Sequence, residues 1–230
     1  MQGIFFTILV ATMPAIGLLY YFWHKDKGEK EPLPLMRKVF LWGIVAIAPV
    51  IVAEIFLMTV PYFIWADPPL LYWVLMPFVC VALPEEYAKL VVVKRCAYQH
   101  GKFNEIMDGI TYCIIASMGF AVFENIMYTF QFGVGVGILR AFTAVPAHAL
   151  FSGIMGYYIG VAKFTKDPAA IKKLFRKGLF WGVLLHGLYD FLLMSGIPIL
   201  ILLVLPLFIF MWIYLHRLIK AANLPATKKA

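Results

Sequence analysis

Several ionisable side chains of this chain lie inside stretches that are otherwise as apolar as membrane-spanning helices. Charged groups are costly at membrane depth, so they usually face a polar cavity and mark a functional site. Carboxylates and imidazoles on helices are the groups that transfer protons or hold a metal ion. The positions are Glu85, Glu86, Lys89, Glu124, Asn125, Arg140, His148, His186 and Asp190.

The densest cluster is Glu85 and Glu86, which directly follow Pro84. We expect the proline to kink or unwind the helix where the carboxylates begin. Lys89 is four residues after one glutamate and three after the other, so it can pair with either on one helical face. A second interpretation of Lys89, that it snorkels to the cytoplasmic interface, stays open. Two adjacent carboxylates predict a group that takes and returns protons.

The other candidates lie on three further apolar stretches. Glu124 has no basic residue in its own stretch, so it needs a partner on another helix or a cation. Arg140 and His148 share the next stretch, where Pro146 should disturb the backbone. His186 and Asp190 are one helical turn apart, which is the usual way for a carboxylate to orient an imidazole for catalysis or metal binding. For Glu124, a purely structural interhelical hydrogen bond is the alternative.

The elements that must position these residues are membrane-spanning helices, each of about 20 mainly apolar residues. The chain is therefore predicted to be an all-α, polytopic membrane protein with about seven transmembrane helices. The candidate spans are Ile4 to Trp23, Val39 to Phe63, Leu70 to Val93, Asp108 to Phe132, Leu139 to Phe164, Leu174 to Met194 and Ile197 to Ile219.

Basic residues are strongly segregated between the connections of these spans. Nearly all of them fall in four hydrophilic segments. The opposite connections contain no basic residue, with Arg140 just after the second as the sole exception; they lie at 65–69, at 133–137, where alternating glycines are expected to form a flexible turn, and at 195–196. By the positive-inside rule, the protein is a multi-pass cell-membrane protein with its C-terminus in the cytoplasm and its N-terminus outside. Since basic residues follow the first apolar stretch and none precedes it, we expect a retained anchor there and not a signal peptide. The basic segments are His24 to Lys38, Lys94 to Glu105, Lys163 to Lys173, and the tail from Arg217.

Composition excludes several classes of function. The 230 residues are 63% hydrophobic and only 14% charged, with a mean hydropathy of +0.87, so the lipid bilayer is the expected partner. The net charge of +8 is dispersed over loops, which argues against nucleic-acid binding. Cys80, Cys96 and Cys113 form no CxxC pair and are expected to be small packing residues. We expect a single domain over residues 1–230.

The ordered set of motifs resembles the PrsW family of bacterial intramembrane proteases, which are distant relatives of the CAAX prenyl proteases and of bacteriocin-processing membrane enzymes. The resemblance covers the third to sixth spans, within a motif-bearing core at residues 66–194. One departure from the CAAX branch is that its second motif ends in His where Glu124 stands here. The residues that carry the resemblance are Glu85-Glu86-x-x-Lys89, Asp108-Gly109, Gly119-Phe120-Ala121-Val122-Phe123-Glu124-Asn125, Arg140 with His148, and His186-x-x-x-Asp190.

This resemblance implies a transmembrane protease that makes the site-1 cut in a single-pass membrane protein, such as an anti-sigma factor. Two mechanisms fit the residues. In the first, Glu85 or Glu86 activates a water, while His148 and His186 stabilise the oxyanion and protonate the leaving amine. In the second, Glu124, His148 and His186 bind a zinc ion and the double Glu is the base. Lys89, Asn125, Arg140 and Asp190 are expected to support the site.

Other chemistries fit less well. The chain has only three serines, none in a GxSxG setting, and it has neither an HExxH nor a GxGD motif. The main alternative from another class is a proton- or cation-coupled membrane transporter that uses the same groups as a relay. A non-catalytic scaffold for helical partners is a third alternative. The absence of a repeat relating two halves argues against the transporter, and the complete set of titratable residues argues against the scaffold.

Overall fold

The computed structural model describes residues 2–64 and 69–224, and positions 65–68 of the predicted connection at 65–69 lie outside them. Within the described ranges the chain is helical and contains no strand, as the sequence predicts. The helices are α1 Gln2–Lys25, α2 Leu33–Val45, α3 Ile47–Ile64, α4 Leu70–Met76, a π-helical segment Pro77–Ala82, α5 Leu83–Cys96, α6 Ile106–Phe132, α7 Val134–Phe142, α8 Ala144–Lys163, α9 Pro168–Met194, α10 Pro198–Ile201 and α11 Val204–Ala222.

These elements form seven passes, where a pass is one helix or a run of consecutive helices that together take the chain once through the bundle. Three passes are single helices, and four consist of consecutive helical pieces. The composite passes are α2 with α3, α4 with the π segment and α5, α7 with α8, and α10 with α11. Among the described residues, four helices are long and apolar enough to cross a membrane by length and composition, namely Leu33–Pro61, Ile106–Phe132, Val134–Lys163 and Pro198–Ala222. The predicted all-α membrane fold is therefore confirmed.

Two local expectations differ from the structure. The sixth span begins at Pro168, six residues before the expected Leu174, because the Asp167 side chain accepts hydrogen bonds from the first-turn amides of Ala169 and Ala170 and caps the helix. The glycine-rich stretch from Gly133, expected to be a flexible turn, is mostly helical. Only Gly133 breaks the helix, with a φ of 91° that glycine adopts readily.

The distortion expected at Pro84 takes the form of a widened helix and not an unwound one. Proline has no amide hydrogen, and its ring conflicts with the carbonyl four residues earlier. The π-helical segment Pro77–Ala82 lies directly before α5 and accommodates this irregularity. Phe78 in this segment packs against α9 at Gly187, where any larger side chain would overlap the ring. The irregular segment therefore brings α5 next to the part of α9 that carries His186.

The centre of the bundle is the contact between α6 and α8. Gly109 on α6 faces Gly156 and Gly160 on α8, and a methyl group on any of them would overlap the backbone of the other helix. Small residues four apart permit this close approach of membrane helices. Both helices are almost wholly buried along this contact. They therefore form a rigid base for the side chains they carry, including Glu124 and His148.

Candidate active site

Lys89 lies at the middle of the polar cluster and is completely buried, with 0% of its side chain exposed. Its Nζ donates to Glu86 Oε1 at 2.7 Å and to Glu85 Oε2 at 3.1 Å, and it lies 2.9 Å from His148 Nδ1. The ammonium also lies 4.4 Å from the centroid of the Phe120 ring. Lys89 therefore does not snorkel to the interface; it holds both glutamates and one histidine together.

Glu86 is the more deeply anchored of the two glutamates. Besides Lys89, its carboxylate contacts His186 Nδ1 at 3.1 Å and accepts a hydrogen bond of 3.0 Å from Ser152 Oγ. Ser152 in turn contacts Ser117 Oγ at 3.0 Å, and Ser117 donates to the backbone carbonyl of His148 at 2.9 Å. From the sequence, these serines were considered only as nucleophiles, and no catalytic motif was found around them. A buried serine that orients a carboxylate on another helix has no characteristic spacing in the sequence, so this role was not predicted.

His186 lies between two carboxylates, as its spacing to Asp190 predicts. Its Nδ1 is 3.1 Å from Glu86 Oε1, and its Nε2 is 3.2 Å from Asp190 Oδ2. The ring also stacks on Phe151, with centroids 4.4 Å apart and planes inclined by only 8°. Hydrogen bonds at both ends and an aromatic face on one side leave the imidazole a single orientation.

His148 links the glutamate cluster to Glu124. Its Nδ1 faces the Lys89 ammonium, which can only donate, so this nitrogen is the acceptor. Nε2 must then carry the proton and donate to Glu124 Oε2 at 2.9 Å. The same carboxylate oxygen is 2.8 Å from Arg140 Nη2, and the Arg140 guanidinium lies 3.8 Å from the centroid of the Tyr128 ring. Glu124 therefore finds its partners on α7 and α8.

Asn125 lies away from the charged cluster although it is adjacent to Glu124 in the sequence. Its side-chain amide donates to the backbone carbonyl of Gly137 at 3.2 Å and is fully buried. Because α7 also carries Arg140, this hydrogen bond ties α6 to the short helix that positions the arginine. Among the supporting residues proposed from sequence, Asn125 thus contacts the scaffold and not the reacting groups.

A cavity of about 170 Å³ lies beside the cluster, within the helix bundle. Its walls include Glu85, Glu124, His148, His186 and Asp190, whereas Glu86 and Lys89 lie behind the wall. One further carboxylate, Glu54 on α3, also lines the cavity and was missed by the sequence reasoning. It stands alone in an apolar helix, with no second polar residue at helical spacing to mark it.

The donor set suits a metal ion. Among the described residues, Glu85, Glu86, His148 and His186 are the group whose candidate ligand atoms all lie within 4.8 Å of one another, and all four are buried. Carboxylate oxygens and imidazole nitrogens are ordinary ligands of zinc and related ions. Glu124, expected from sequence to be a ligand, lies outside this group, and its role as a ligand stays a prediction. The Lys89 ammonium uses the same oxygens that an ion would use.

Comparisons with known proteins identify the family of the chain. Residues 31–215 match the family described as "PrsW family intramembrane metalloprotease". The chain is 38% identical to "Protease PrsW" of Geobacillus kaustophilus (strain HTA426) over 196 residues, which cover 83% of this chain and 81% of the relative. It is 34% identical to "Protease PrsW" of Bacillus subtilis (strain 168) over 219 residues, covering 95% and 96% of the two chains.

A third relative, "Protease PrsW" of Oceanobacillus iheyensis (strain HTE831), is 35% identical over 210 residues and covers 91% of this chain and 93% of its own. No solved structure matches the chain. The family match extends well beyond half of the chain and includes every residue of the polar cluster. The family match favours proteolysis over transport as the function of these buried groups. The chain belongs to the PrsW family of intramembrane metalloproteases.

Proposed function

We propose that this chain hydrolyses a peptide bond in or beside the transmembrane segment of a single-pass membrane protein, making the first cut in a regulator such as an anti-sigma factor. The observation that carries the proposal is the buried group of Glu85, Glu86, His148 and His186 beside a cavity inside the bundle. General-base chemistry on water needs a carboxylate or imidazole within reach of the space where substrate and water meet. We also propose residues 1–230 as one protease domain, with the motif-bearing core at 66–194.

The two glutamates are proposed to have different roles. Glu85 lines the cavity and has one partner, Lys89, so it is the carboxylate that can accept a proton from a water in the cavity. Glu86 faces away from the cavity and has three partners, which suits a residue that fixes Lys89 and His186 in place. His186 also lines the cavity and lies between two carboxylates with a proton on each nitrogen. It would turn one N–H from its carboxylate partner to the oxyanion and give that proton to the leaving amine, while the proton taken from water stays on Glu85.

As the alternative to this metal-free chemistry, we propose that Glu85, Glu86, His148 and His186 hold a zinc ion, in which case Glu85 and His186 serve as ligands. A bound zinc ion supplies Lewis-acid polarisation of the carbonyl and acidifies water. In this arrangement Glu124 orients His148 through the Nε2 proton, as carboxylates beyond the ligands commonly do. If Glu124 is itself a ligand, as the sequence suggested, Arg140 has to release it first.

The depth of the site supports a cut towards the outer face. Glu124 lies roughly 27 Å along α6 from Ile106 and roughly 12 Å from Phe132. His186 lies at the same relative depth in α9, so the site is nearer one end of the bundle. We call the face farther from the site, where α6 and α9 begin, the far face. The helices that end there carry basic residues in their last turns, namely α1, α5, α8 and α11. The helices that end at the face nearer the site carry none, namely α3, α6 and α9. By the positive-inside rule we propose that the far face is cytoplasmic.

The proposal is tested in proteoliposomes that contain the purified protein and a single-pass model substrate. We expect specific cleavage by the wild type, loss of cleavage in His186→Ala, and normal cleavage in His100→Ala, which removes an exposed histidine from a cytoplasmic turn. Metal content of the purified proteins is measured in parallel, and we expect bound zinc in the wild type and His100→Ala and much less in His186→Ala. Cleavage that survives His186→Ala unchanged would contradict the proposed site.

Equal zinc content in the three proteins would contradict the metal proposal alone. Treatment with a chelator followed by re-addition of zinc separates the two proposals further. If metal-free protein still cleaves at the wild-type rate, the Glu and His groups act without a metal. If no substrate is cleaved but protons or cations cross the membrane at a rate that depends on His186, the protease proposal fails.

A further inference from the structure

Among the residues that the structure describes, Glu54 differs from the other carboxylates at the site because it has no hydrogen-bond or ion-pair partner. It lies on α3, is half-buried, and faces the cavity together with Glu85, Glu124 and Asp190. Lys89 holds Glu85, Arg140 and His148 hold Glu124, and His186 holds Asp190. Glu54 forms no hydrogen bond or ion pair with any of the residues that the structure describes. A carboxylate at membrane depth without a counter-charge is costly, so its presence beside the cavity calls for a function.

The charges around the cavity do not balance. Its walls carry four carboxylates and a single permanent cation, Arg140. Behind the wall, Glu86 and Lys89 add one negative and one positive charge. His186 lies between two carboxylates, which only accept hydrogen bonds, so it carries a proton on both nitrogens and the site keeps two negative charges in excess. A divalent ion bound by neutral histidines would still leave one, and Glu54 is the carboxylate that pairs with no cation among the described residues.

The cavity is also too small for a whole helix. About 170 Å³ is less than the roughly 300–1,000 Å³ of typical small-molecule sites. A transmembrane substrate can therefore place only a short stretch there, one or two side chains next to the peptide bond that is cut. Beside Glu54, the side chain that completes the charge balance is a cationic one, since a second carboxylate would be repelled and an apolar group would leave Glu54 buried and unpaired.

We propose that Glu54 is a specificity-determining residue that binds a lysine or arginine side chain of the substrate close to the scissile bond. This proposal rests on the proposed proteolytic function and names the substrate feature that the site selects. A charge-assisted hydrogen bond formed away from bulk water is strong enough to discriminate between substrates by about 10- to 100-fold. The residue acts on substrate choice, and the hydrolytic groups work without it.

The test uses the full-length protein in proteoliposomes and a series of single-pass peptides. One lysine is moved through successive positions around the cleavage site, and each peptide is paired with one that carries glutamine at the same position. We expect the wild type to prefer lysine over glutamine by about 10- to 100-fold in kcat/KM at one position. Glu54→Gln should abolish that preference and leave cleavage of the glutamine peptides within about threefold. Glu54→Lys should prefer a peptide with glutamate at that position.

The matched control is Glu29→Gln, which removes one negative charge from an exposed residue outside the membrane. It should keep the wild-type preference. The wild-type measurement alone can overturn the proposal, because it requires a lysine preference whether or not the Glu54 variants fold. Equal slowing of all peptides by Glu54→Gln would assign Glu54 to the chemistry and overturn the specificity role. If the wild type cleaves no peptide, the proposed function itself fails and this inference falls with it.

Discussion

Replacing the two adjacent glutamates one at a time by glutamine separates catalysis from structural support. Glutamine keeps the shape of the side chain and removes its charge, so Glu85→Gln and Glu86→Gln are chemically identical changes at neighbouring positions. The contacts differ sharply. Within the described part of the chain, Glu85 faces the cavity and contacts only Lys89, whereas Glu86 is fully buried and contacts Lys89, His186 and Ser152. We expect Glu85→Gln to be an inactive, stable protein and Glu86→Gln to be both inactive and unstable.

The magnitudes follow from these contacts. Loss of a general base lowers the rate by about 10²- to 10⁴-fold, and Glu85→Gln should fall in this range. Its stability should change little, because Lys89 keeps its shorter ion pair of 2.7 Å with Glu86. Glu86→Gln breaks that shorter ion pair, leaves Lys89 the longer contact of 3.1 Å with Glu85, and also removes the carboxylate from His186 and Ser152. Breaking a buried ion pair costs about 3–5 kcal/mol. For a chain of this length each kcal/mol lowers Tm by about 2–4 °C, so we expect a decrease of at least about 6 °C.

Thermal unfolding in detergent and cleavage in proteoliposomes measure the two effects on the same preparations. Ser152→Ala is the control, since it removes one hydrogen bond from Glu86 without removing charge and should cost only about 1 kcal/mol. Equal Tm values for the two glutamine variants would refute the division of roles. The reverse pattern, with Glu86→Gln stable and Glu85→Gln unstable, would show that Glu86 is the cavity-facing base and that Glu85 is the anchor.

Two further predictions concern regions outside the site. In a cysteine-free background, Lys166→Cys should react with a membrane-impermeant reagent only from the cytoplasmic side and Ser195→Cys only from the outer side; labelling of both from one side would contradict the proposed orientation. Burial beside the Asp108 carboxylate raises the pKa of Glu31 from 4.5 to about 9. The folded protein therefore binds the Glu31 proton more tightly than the unfolded chain does. This contribution to the free energy of unfolding is complete below pH 4.5 and is lost as the pH rises to 9. Tm measured between pH 5 and 9 should fall with pH in the wild type and more weakly in Glu31→Gln, and parallel curves would contradict this.

Hydropathy and motif spacing predicted the helical passes and the cluster because both depend on local sequence. The contact of Lys89 with both glutamates and of His186 with Asp190 follows from residues three or four apart on a helix. Contacts between passes were not predictable in the same way. Nothing local in the sequence indicates that Ser152 supports Glu86 across two helices, or that Glu54 faces the cavity. Their roles depend on how the passes pack.

Two breaks in helical geometry lie next to the polar residues of the site, and they help to place side chains from different passes at the same depth in the bundle. The π-helical segment ends at Ala82, shortly before Glu85, and the pass of α7 and α8 breaks at Thr143, shortly before His148. In lipid a freed backbone carbonyl has no partner, so such breaks occur where protein or a polar cavity can satisfy it. At Thr143 the carbonyl of Leu139 accepts from the backbone amide of Thr143 at 3.1 Å and from its hydroxyl at 2.8 Å. Proline next to a charged residue in an apolar stretch, as at Pro84, therefore indicates both the break and the site that the break serves.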